Sequence, residues 1–328
     1  MRDFFQNHLN SSHIENILAF FDVSSKLLHW EMIPIGYENV SIKIVCTSSV
    51  LLLRIYNPLQ FDSFPRTKEH ILYELEFIEH LHMRHIPVVI PYKTNKKEKI
   101  YTLILGTSSY YCVLFPFLEG ASPSYWTKKR VEEIAKLEKT MHAISGDFHT
   151  IYQRPHSLIT GLPARILTIV QSLPKTNNTL FLGKELLEIS HTLLHLGAHH
   201  PLIPVHRDIH EGNLIYNKGQ LLALIDFDDL ALSHKEDDVG LTLYQIVRAT
   251  KTALSLQQRI NLFFSIYPDL DQKLCLSYMY MRTLAECVFS LAHFHETREN
   301  QGYKEYLKKR KLAKRIKEIF LLYPCSQK

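Results

Sequence analysis

The sequence has 328 residues, of which 46% are hydrophobic and 22% charged, and its formal net charge is +5. This composition is typical of a globular chain with a sizeable core, and it excludes disordered, collagen-like and fibrous proteins. No apolar run reaches the roughly 18–20 residues that span a bilayer, and no secretory signal begins the chain. We therefore expect a cytoplasmic protein with no membrane span.

The first third of the chain predicts a small sheet with one helix packed on it. Alternating and then continuous apolar residues indicate β-strands at 40–45 and 50–56. Apolar residues at helical spacing predict a helix over 67–82, and two further strands are predicted at 101–105 and 110–114. The second of these runs into Phe115-Pro116-Phe117-Leu118-Glu119-Gly120, where we place the boundary between two lobes.

The remainder is mainly helical. Periodic apolar positions predict helices at 128–144, 184–196, 239–251, 256–264, 274–295 and 303–322, interrupted by a β-rich stretch at 214–226. Residues 300–328 hold nine Lys and Arg against two Glu, so the rest of the chain sums to −2. We expect this last helix to dock through its apolar positions and to expose its basic ones, and we expect no nucleic acid as partner. Those apolar positions are Tyr303, Leu307, Ile316, Ile319 and Phe320.

Five scattered cysteines include no Cys-x-x-Cys pair, and none of the 19 histidines forms a zinc-ligand motif. The cysteines are Cys46, Cys112, Cys275, Cys287 and Cys325. This pattern predicts reduced, mostly buried thiols and neither a disulfide framework nor a zinc site.

The chemically informative stretch is His206-Arg207-Asp208, four residues, Asn213, a β-hairpin, and then Asp226-Phe227-Asp228-Asp229. The turn Asn217-Lys218-Gly219 predicts the hairpin, with Gly219 at a position that needs a positive φ. Folding the hairpin brings Asp226 beside Asn213 and Asp208. Oxygen ligands from two such groups suit Mg²⁺ with substrate phosphates, and a further carboxylate can receive a proton from an attacking hydroxyl.

This pattern resembles the aminoglycoside phosphotransferase and choline kinase family, within the protein-kinase-like superfamily, and its homoserine-kinase-like and bacterial stress-response-kinase branches in particular. The resemblance implies an α+β, protein-kinase-like two-lobe fold, with an N-terminal antiparallel sheet lobe and a mainly helical C-terminal lobe. The nucleotide-binding lobe would be residues 1–115, the hinge 116–120 and the helical lobe 121–328. It implies Asp208 as catalytic base, Asn213 and Asp226 as Mg²⁺ ligands, and His206 as a brace of the catalytic loop.

The same resemblance implies a nucleotide site in the first lobe. Arg54 stands where the family has the cation that contacts the phosphates, with Lys43 as the competing residue, and Glu74 stands where the helix glutamate pairs with that cation. Gly36 and Asn39 fit a Gly-x-x-Asn phosphate turn. Phe115 and Phe117 lie in the stretch that resembles the adenine-binding hinge. The implied cofactors are ATP, or GTP in its place, and Mg²⁺.

The acceptor stays open. The family usually has His-Gly-Asp where this chain has His-Arg-Asp, the form commoner in protein kinases, so Arg207 leaves the class of acceptor more open. We expect a hydroxyl on a small molecule such as an aminoglycoside, choline or homoserine. A Ser/Thr protein kinase of the stress-response type and a nucleotide-binding pseudokinase are the alternatives. Acids expected near the acceptor are Asp228, Asp229, Glu236, Glu286 and Glu296, whereas Asp238 is expected to cap its helix.

Overall fold

The structure is a computed structural model that describes residues 2–34, 39–60, 64–154, 157–249 and 252–323. The chain divides into two compact units. The first contains residues 1–121, 149–154 and 215–225, and the second contains residues 122–148, 155–214 and 226–328. The first is built on an antiparallel sheet and the second is mainly helical, so the predicted α+β class is confirmed.

The elements follow one another along the described chain in this order: α1 (Arg2–His8), α2 (Ser11–Phe20), β1 (Leu27–Met32), β2 (Val40–Cys46), β3 (Val50–Ile55), β4 (Leu59–Gln60), β5 (Phe64–Pro65), α3 (Lys68–Met83), β6 (Tyr101–Leu105), β7 (Ser108–Pro116), α4 (Lys128–Ser145), α5 (Ser157–Ser172), α6 (Asn177–Gly197), β8 (Ile203–Val205), a 3₁₀ turn (Glu211–Asn213), β9 (Leu214–Asn217), β10 (Gln220–Leu224), β11 (Ala231–Ser233), α7 (Lys235–Arg248), α8 (Leu256–Ile266), α9 (Gln272–Thr297) and α10 (Asn300–Leu322).

The first unit is organised by a five-stranded sheet in the order β1-β2-β3-β7-β6, with every neighbouring pair antiparallel. Residues alternate between its two faces, as in any strand. On one face the alternate residues of β2 and β3, from Val40 to Ile55, form a core with apolar residues of α1 and α2. These two N-terminal helices, which cover this face of the sheet, were not predicted, although Ile14, Ile17 and Leu18 of α2 have helical spacing.

The hairpin formed by β9 and β10 has the predicted turn. Lys218 and Gly219 both have positive φ, 49° and 79°, which is the backbone of the two-residue turn that matches strand twist. The hairpin is fixed within the first unit, because Tyr216 exchanges two 2.9 Å backbone hydrogen bonds with Ala121. Gly120 makes this approach possible: a Cβ there would lie 2.6 Å from Ile215 Cγ2.

In the second unit α9 is the central helix, and it packs against α6, α7 and α10. As predicted, α10 docks on this unit, but the positions that do so differ in part. Ile316 and Ile319 are buried, whereas Tyr303 and Leu307 are exposed; their places are taken by Tyr306 and Ala313. The predicted docking positions are therefore wrong in the N-terminal half of α10, where apolar residues also lie next to the basic ones.

Among the described residues no helix combines the length and apolarity needed to cross a membrane. Cys46, Cys112, Cys275 and Cys287 are buried and unpaired, as predicted for reduced thiols. Cys325 lies outside the described residues.

Candidate active site

The catalytic-loop residues predicted from the sequence lie between β8 and β9. Asn213 donates from Nδ2 to the carboxylate of Asp208, 3.0 Å, and to the backbone carbonyl of Asp208, 2.9 Å. The amide nitrogen of Asn213 is thus turned toward Asp208, and its Oδ1 oxygen faces the other way. The structure brings together the two groups that the spacing predicted.

Asp208 is held as a carboxylate. Its Oδ2 lies 3.4 Å from Nε2 of His210, and its backbone N–H donates to Nδ1 of His206 over 3.2 Å. Burial opposes ionisation of Asp208, but the hydrogen bond and charge of His210, with the charge of His206, outweigh it, so the pKa of Asp208 is below its usual value. An ionised carboxylate, about one third exposed, can accept a proton from a bound hydroxyl.

The loop backbone is anchored by Asp238, a fully buried residue of α7. Its Oδ2 accepts the N–H of His206, 3.1 Å, and its Oδ1 accepts the N–H of Arg207, 2.6 Å. His142 on α4 adds a third contact, with Nε2 at 2.9 Å from Oδ2. Although burial opposes its ionisation, these donors place the pKa of Asp238 below its usual value. Asp238 therefore orients the catalytic loop, and the expectation that it caps its helix is wrong.

The backbone at position 207 has a conformation that favours glycine, and the side-chain contacts of Arg207 explain how an arginine is tolerated there. Its φ is +66°, a left-handed conformation that L-residues with a Cβ rarely adopt. Its side chain is buried and its Nε donates to Oδ2 of Asp237 over 2.9 Å, an oxygen that also accepts the hydroxyl of Ser233 at 2.7 Å. Although burial opposes its charge, Asp237 and the other acids around it raise the pKa of Arg207. The Arg207 side chain is thus held in a buried ion pair with Asp237.

Asp226 follows β10 directly after Ile225, so Asp226 and Asn213 lie at the same end of the hairpin. Asp226 also has a positive φ, 67°, which Asp tolerates better than most residues. Negative charge accumulates here. Burial, together with the charges of Asp208, Asp228 and Asp226, raises the pKa of Asp229 to about 7, against the opposing effect of Arg207.

These residues fit a divalent cation. One amide oxygen from Asn213 and one carboxylate from Asp226 are the hard oxygen ligands that Mg²⁺ takes from proteins, with phosphates and water completing its shell. A cation would also neutralise the charge that raises the pKa of Asp229. The described residues contain no group of three or more His, Cys, Asp or Glu side chains placed to hold a metal, so the donor set fits a phosphate-bound ion better than a dedicated all-protein site.

In the first unit, one face of the sheet collects the residues predicted to meet the nucleotide. Register pairs Lys43 of β2 with Leu52 of β3, and Leu52 with Phe115 of β7. Arg54, two residues after Leu52, therefore shares this face, opposite the core formed with α1 and α2. Phe117 lies beside Lys43, whose ammonium is 5.1 Å from the centroid of the Phe117 ring. Cations and aromatic rings thus lie side by side on one surface.

Glu74 on α3 is nearly fully buried and lies within a second group of contacts. Its Oε1 accepts the hydroxyl of Tyr56 over 3.0 Å, and its Oε2 lies 3.7 Å from Nη1 of Arg154. The Tyr56 ring has the guanidinium carbons of Arg54 and Arg66 at 5.3 Å each. Arg54 and Glu74 are therefore joined through Tyr56, while a direct pair between them stays a prediction.

Asn39 is buried, and its Oδ1 accepts Nη1 of Arg66 over 2.8 Å and the N–H of Asn57 over 3.0 Å. This amide fixes Arg66 at the start of the segment that leads into α3. Its predicted role at a phosphate stays a prediction, and Gly36 lies outside the described residues.

Sequence reasoning did not select His210, Arg66 or Arg154. His210 has a local signal, since it is two residues from Asp208 in the same loop. Arg66 and Arg154 have none, because their partners Asn39 and Glu74 are 27 and 80 positions away in the sequence.

Two of the acids expected near the acceptor are engaged elsewhere. Glu286 has one oxygen 2.9 Å from Arg282 and the other 2.9 Å from Lys309. Glu236 is buried, and its Oε1 accepts the N–H of Asp271 over 3.2 Å. Neither carboxylate is available to a cationic ligand.

Known proteins resemble this chain in sequence pattern and in fold. The sequence matches the model of the phosphotransferase enzyme family, APH, over residues 29–271. No curated protein sequence matches significantly.

Solved structures share the fold at low identity. The amicoumacin kinase hAmiN, in complex with AMP-PNP, Ca²⁺ and Ami, has a TM-score of 0.74 at 16% identity, covering 95% of this chain and 96% of its own. A microcompartment-associated aminopropanol kinase has a TM-score of 0.72 at 16% identity, and the match covers 95% of this chain and 98% of that kinase. The ethanolamine kinase of Plasmodium vivax has a TM-score of 0.55 at 15% identity, and the match covers 92% of this chain and 83% of that kinase. These likenesses confirm the predicted two-lobe, kinase-like fold.

The family model covers well over half of the chain and includes the whole catalytic loop and Asp226. The predicted family and the predicted enzyme class, a kinase-type phosphotransferase, are therefore confirmed. The chain belongs to the phosphotransferase enzyme family.

Proposed function

We propose that this enzyme transfers the γ-phosphoryl group of ATP, with Mg²⁺, to a hydroxyl group of a small molecule. The observation that carries the proposal is the arrangement around Asp208. Asn213 and His210 hold its carboxylate, Asp238 holds the loop backbone, and Asn213 and Asp226 stand at one end of the hairpin. Phosphoryl transfer needs little covalent work from a protein, so positioning and charge are the main requirements.

In this proposal Asp208 orients the acceptor hydroxyl and takes its proton at Oδ1 or Oδ2. Asn213 and Asp226 would hold Mg²⁺, which when bound with the nucleotide supplies positive charge against the phosphates. Arg54 would contact the phosphates, and Phe115 and Phe117 would flank the base. His206 braces the loop from its buried position beside the Phe227 ring, 4.5 Å between centroids. GTP is the alternative donor.

The preference for a small-molecule acceptor is supported by the similar structures, which are named as kinases of amicoumacin, aminopropanol and ethanolamine. Residues 1–115, 116–120 and 121–328 would serve as nucleotide lobe, hinge and acceptor lobe. The cytoplasmic location stays a prediction.

The nucleotide half of the proposal is tested by thermal unfolding with ATP or GTP, with and without Mg²⁺. A ligand that binds only the native state raises the melting temperature, and at 100 times its Kd it adds about 2.7 kcal/mol. We expect a Mg²⁺-dependent increase that Asp226→Ala removes and Asp147→Ala preserves, since Asp147 is an exposed acid two residues beyond the end of α4. An equal increase in the Asp226→Ala variant would contradict the metal assignment.

The catalytic half is tested by following nucleoside diphosphate release with a panel of alcohols. Asp208→Ala is expected to lower turnover about 10²- to 10⁴-fold, the range for a general base, while nucleotide binding persists. Wild-type turnover in that variant would refute the assignment of the base. Nucleotide binding without turnover of any alcohol or protein would identify a pseudokinase, and transfer to protein serine or threonine a protein kinase.

A further inference from the structure

Tyr56, the residue directly after β3, is in contact with three charged side chains of the first unit. The guanidinium carbons of Arg54 and Arg66 each lie 5.3 Å from the centroid of its ring, within the range of cation–π attraction. Its hydroxyl donates to Oε1 of Glu74 over 3.0 Å. Tyr56 is 1% exposed and Glu74 is 2% exposed, so packing holds the ring in one place, and the exclusion of water strengthens its attraction for the two cations.

The contact with Tyr56 restricts the side chain of Arg54. Tyr56 continues the pairing of β3, because its N–H donates to the carbonyl of Tyr111 over 2.9 Å. Two positions apart on an extended chain, Arg54 and Tyr56 lie on the same face. An unrestrained arginine side chain samples many rotamers, and it loses that freedom when it binds a ligand. A ring that already holds the guanidinium removes part of this loss in advance, so Tyr56 preorganises Arg54.

Arg66 orients Asn39, the residue directly before β2. Nη1 of Arg66 and the N–H of Asn57 both donate to Oδ1 of Asn39, over 2.8 Å and 3.0 Å. A guanidinium and a backbone N–H are donors only, so they fix which end of the amide is the oxygen. The donor end, Nδ2, therefore points away from Arg66, and an amide N–H is a group that a phosphate oxygen accepts. One ring, that of Tyr56, thus contacts Arg54 directly and Asn39 through Arg66.

We infer that Tyr56 and Arg66 are positioning residues of the nucleotide site: the Tyr56 ring holds the guanidinium of Arg54, and Arg66 directs the amide donor of Asn39, toward the nucleotide phosphates. This inference rests on the proposed function, in which Arg54 and Asn39 meet those phosphates. Tyr56 and Arg66 act through these two residues and need no contact with the nucleotide. Glu74 then acts on Arg54 by anchoring the hydroxyl of Tyr56.

The test for Tyr56 is calorimetric titration of the full chain with ATP and Mg²⁺, and with adenosine, which has no phosphate. Tyr56→Leu removes the ring and is expected to weaken ATP binding about tenfold, the effect of losing a desolvated cation–π contact. Adenosine binding should change by about twofold or less, because the base does not depend on Arg54. Tyr56→Phe keeps the ring and should retain most of the affinity for ATP. Tyr56→Met fills the same space without a ring face and replaces Tyr56→Leu if that variant does not fold.

The test for Arg66 uses the same two ligands. Arg66→Gln should weaken ATP binding about tenfold, since a hydrogen bond from a charged group is lost, and should leave adenosine binding unchanged. Arg66→Lys keeps the charge without the planar guanidinium and should recover part of the affinity. Two controls belong to the same unit. Leu53→Val alters the core on the other face of β3, and Arg84→Gln removes an exposed arginine, so both should bind ATP and adenosine as the wild type does.

A double-mutant cycle separates positioning from general destabilisation. If Tyr56 acts through Arg54, the variant with both Arg54→Gln and Tyr56→Leu should bind ATP no more weakly than Arg54→Gln alone. Losses that multiply would overturn the inference, as would wild-type ATP affinity in Tyr56→Leu and Arg66→Gln, or an equal loss for adenosine and ATP. Failure of the proposed function is seen separately, because the wild type would then not bind ATP, or Arg54→Gln and Asn39→Ala would bind it normally.

Discussion

The replacement of Arg207 by glycine sets two effects of opposite sign against each other. Arg207 has φ +66°, and a left-handed residue with a Cβ costs about 1–2 kcal/mol. Glycine removes that cost. It also removes the guanidinium from Asp237, whose side chain is only 4% exposed. Breaking a buried ion pair by deleting one partner costs about 3–5 kcal/mol, because the other charge stays buried.

The free energy lost with the ion pair is expected to exceed the free energy gained by relieving the backbone strain. Asp237 keeps one hydrogen bond, from Ser233 at 2.7 Å, which reduces the loss but does not supply a charge. Subtracting the relieved strain leaves Arg207→Gly less stable than wild type by about 2 kcal/mol. The backbone N–H of residue 207 still donates to Asp238, so the loop geometry is expected to persist in the variant.

Urea unfolding of wild type, Arg207→Gly, Asp237→Asn and the double variant measures this balance as a double-mutant cycle. The double variant leaves no unpaired buried charge, so its loss should be smaller than the sum of the single losses by about 1–3 kcal/mol. If Arg207→Gly were as stable as wild type or more so, or if the losses simply added, the assignment of Arg207 to a stabilising buried pair would be refuted.

Three further predictions concern Gly120, His210 and Glu138. Gly120→Ala places a methyl 2.6 Å from Ile215 Cγ2 and is expected to lower the unfolding free energy by about 1–3 kcal/mol. Gly146→Ala, whose methyl would lie 4.0 Å from its nearest neighbour, Ile203 Cγ2, should not lower it; equal stability of the two variants would contradict the close approach. Burial lowers the pKa of His210, but its hydrogen bond to Asp208 outweighs this effect, so the net shift of the pKa is upward. The stability that the pair adds is therefore present below about pH 6.5, and it is lost as the pH rises through the pKa of His210 in the folded protein. His210→Gln should therefore lose more stability at about pH 5.5 than at pH 9, and its acid limb of kcat/KM should move to higher pH; a pH-independent loss in urea unfolding would contradict this. Burial and the charge of Asp238 raise the pKa of Glu138 well above its usual value, so the stability of the wild type falls as the pH rises above about 4.5. Compared with the wild type, Glu138→Gln should therefore be more stable at pH 8 than at pH 5. Thermal melts across that range check it, and a constant difference would refute it.

Much of this fold is readable from local patterns. The hairpin turn at Lys218-Gly219, the strands around Arg54 and most helices of the second unit were predicted because periodicity and turn chemistry are local properties. The N-terminal helices α1 and α2 were missed because their stability comes from the sheet face they cover. The docking residues of α10 were partly misplaced for a similar reason, since Tyr306 and Ala313 are buried only because α9 lies against them.

By itself the sequence determined which groups are available for chemistry. His206, Asp208, Asn213 and Asp226 have fixed separations along the chain, and the two-stranded hairpin between Asn213 and Asp226 returns the chain to the end at which the hairpin begins. The tertiary structure decided what surrounds them. Asp238 holds the loop instead of capping its helix, Arg207 is paired with Asp237, and Glu286 is paired with Arg282 and Lys309. Each of these partners is 4 to 31 residues away on other segments or turns, and packing selects them because a buried charge must have a partner of opposite sign.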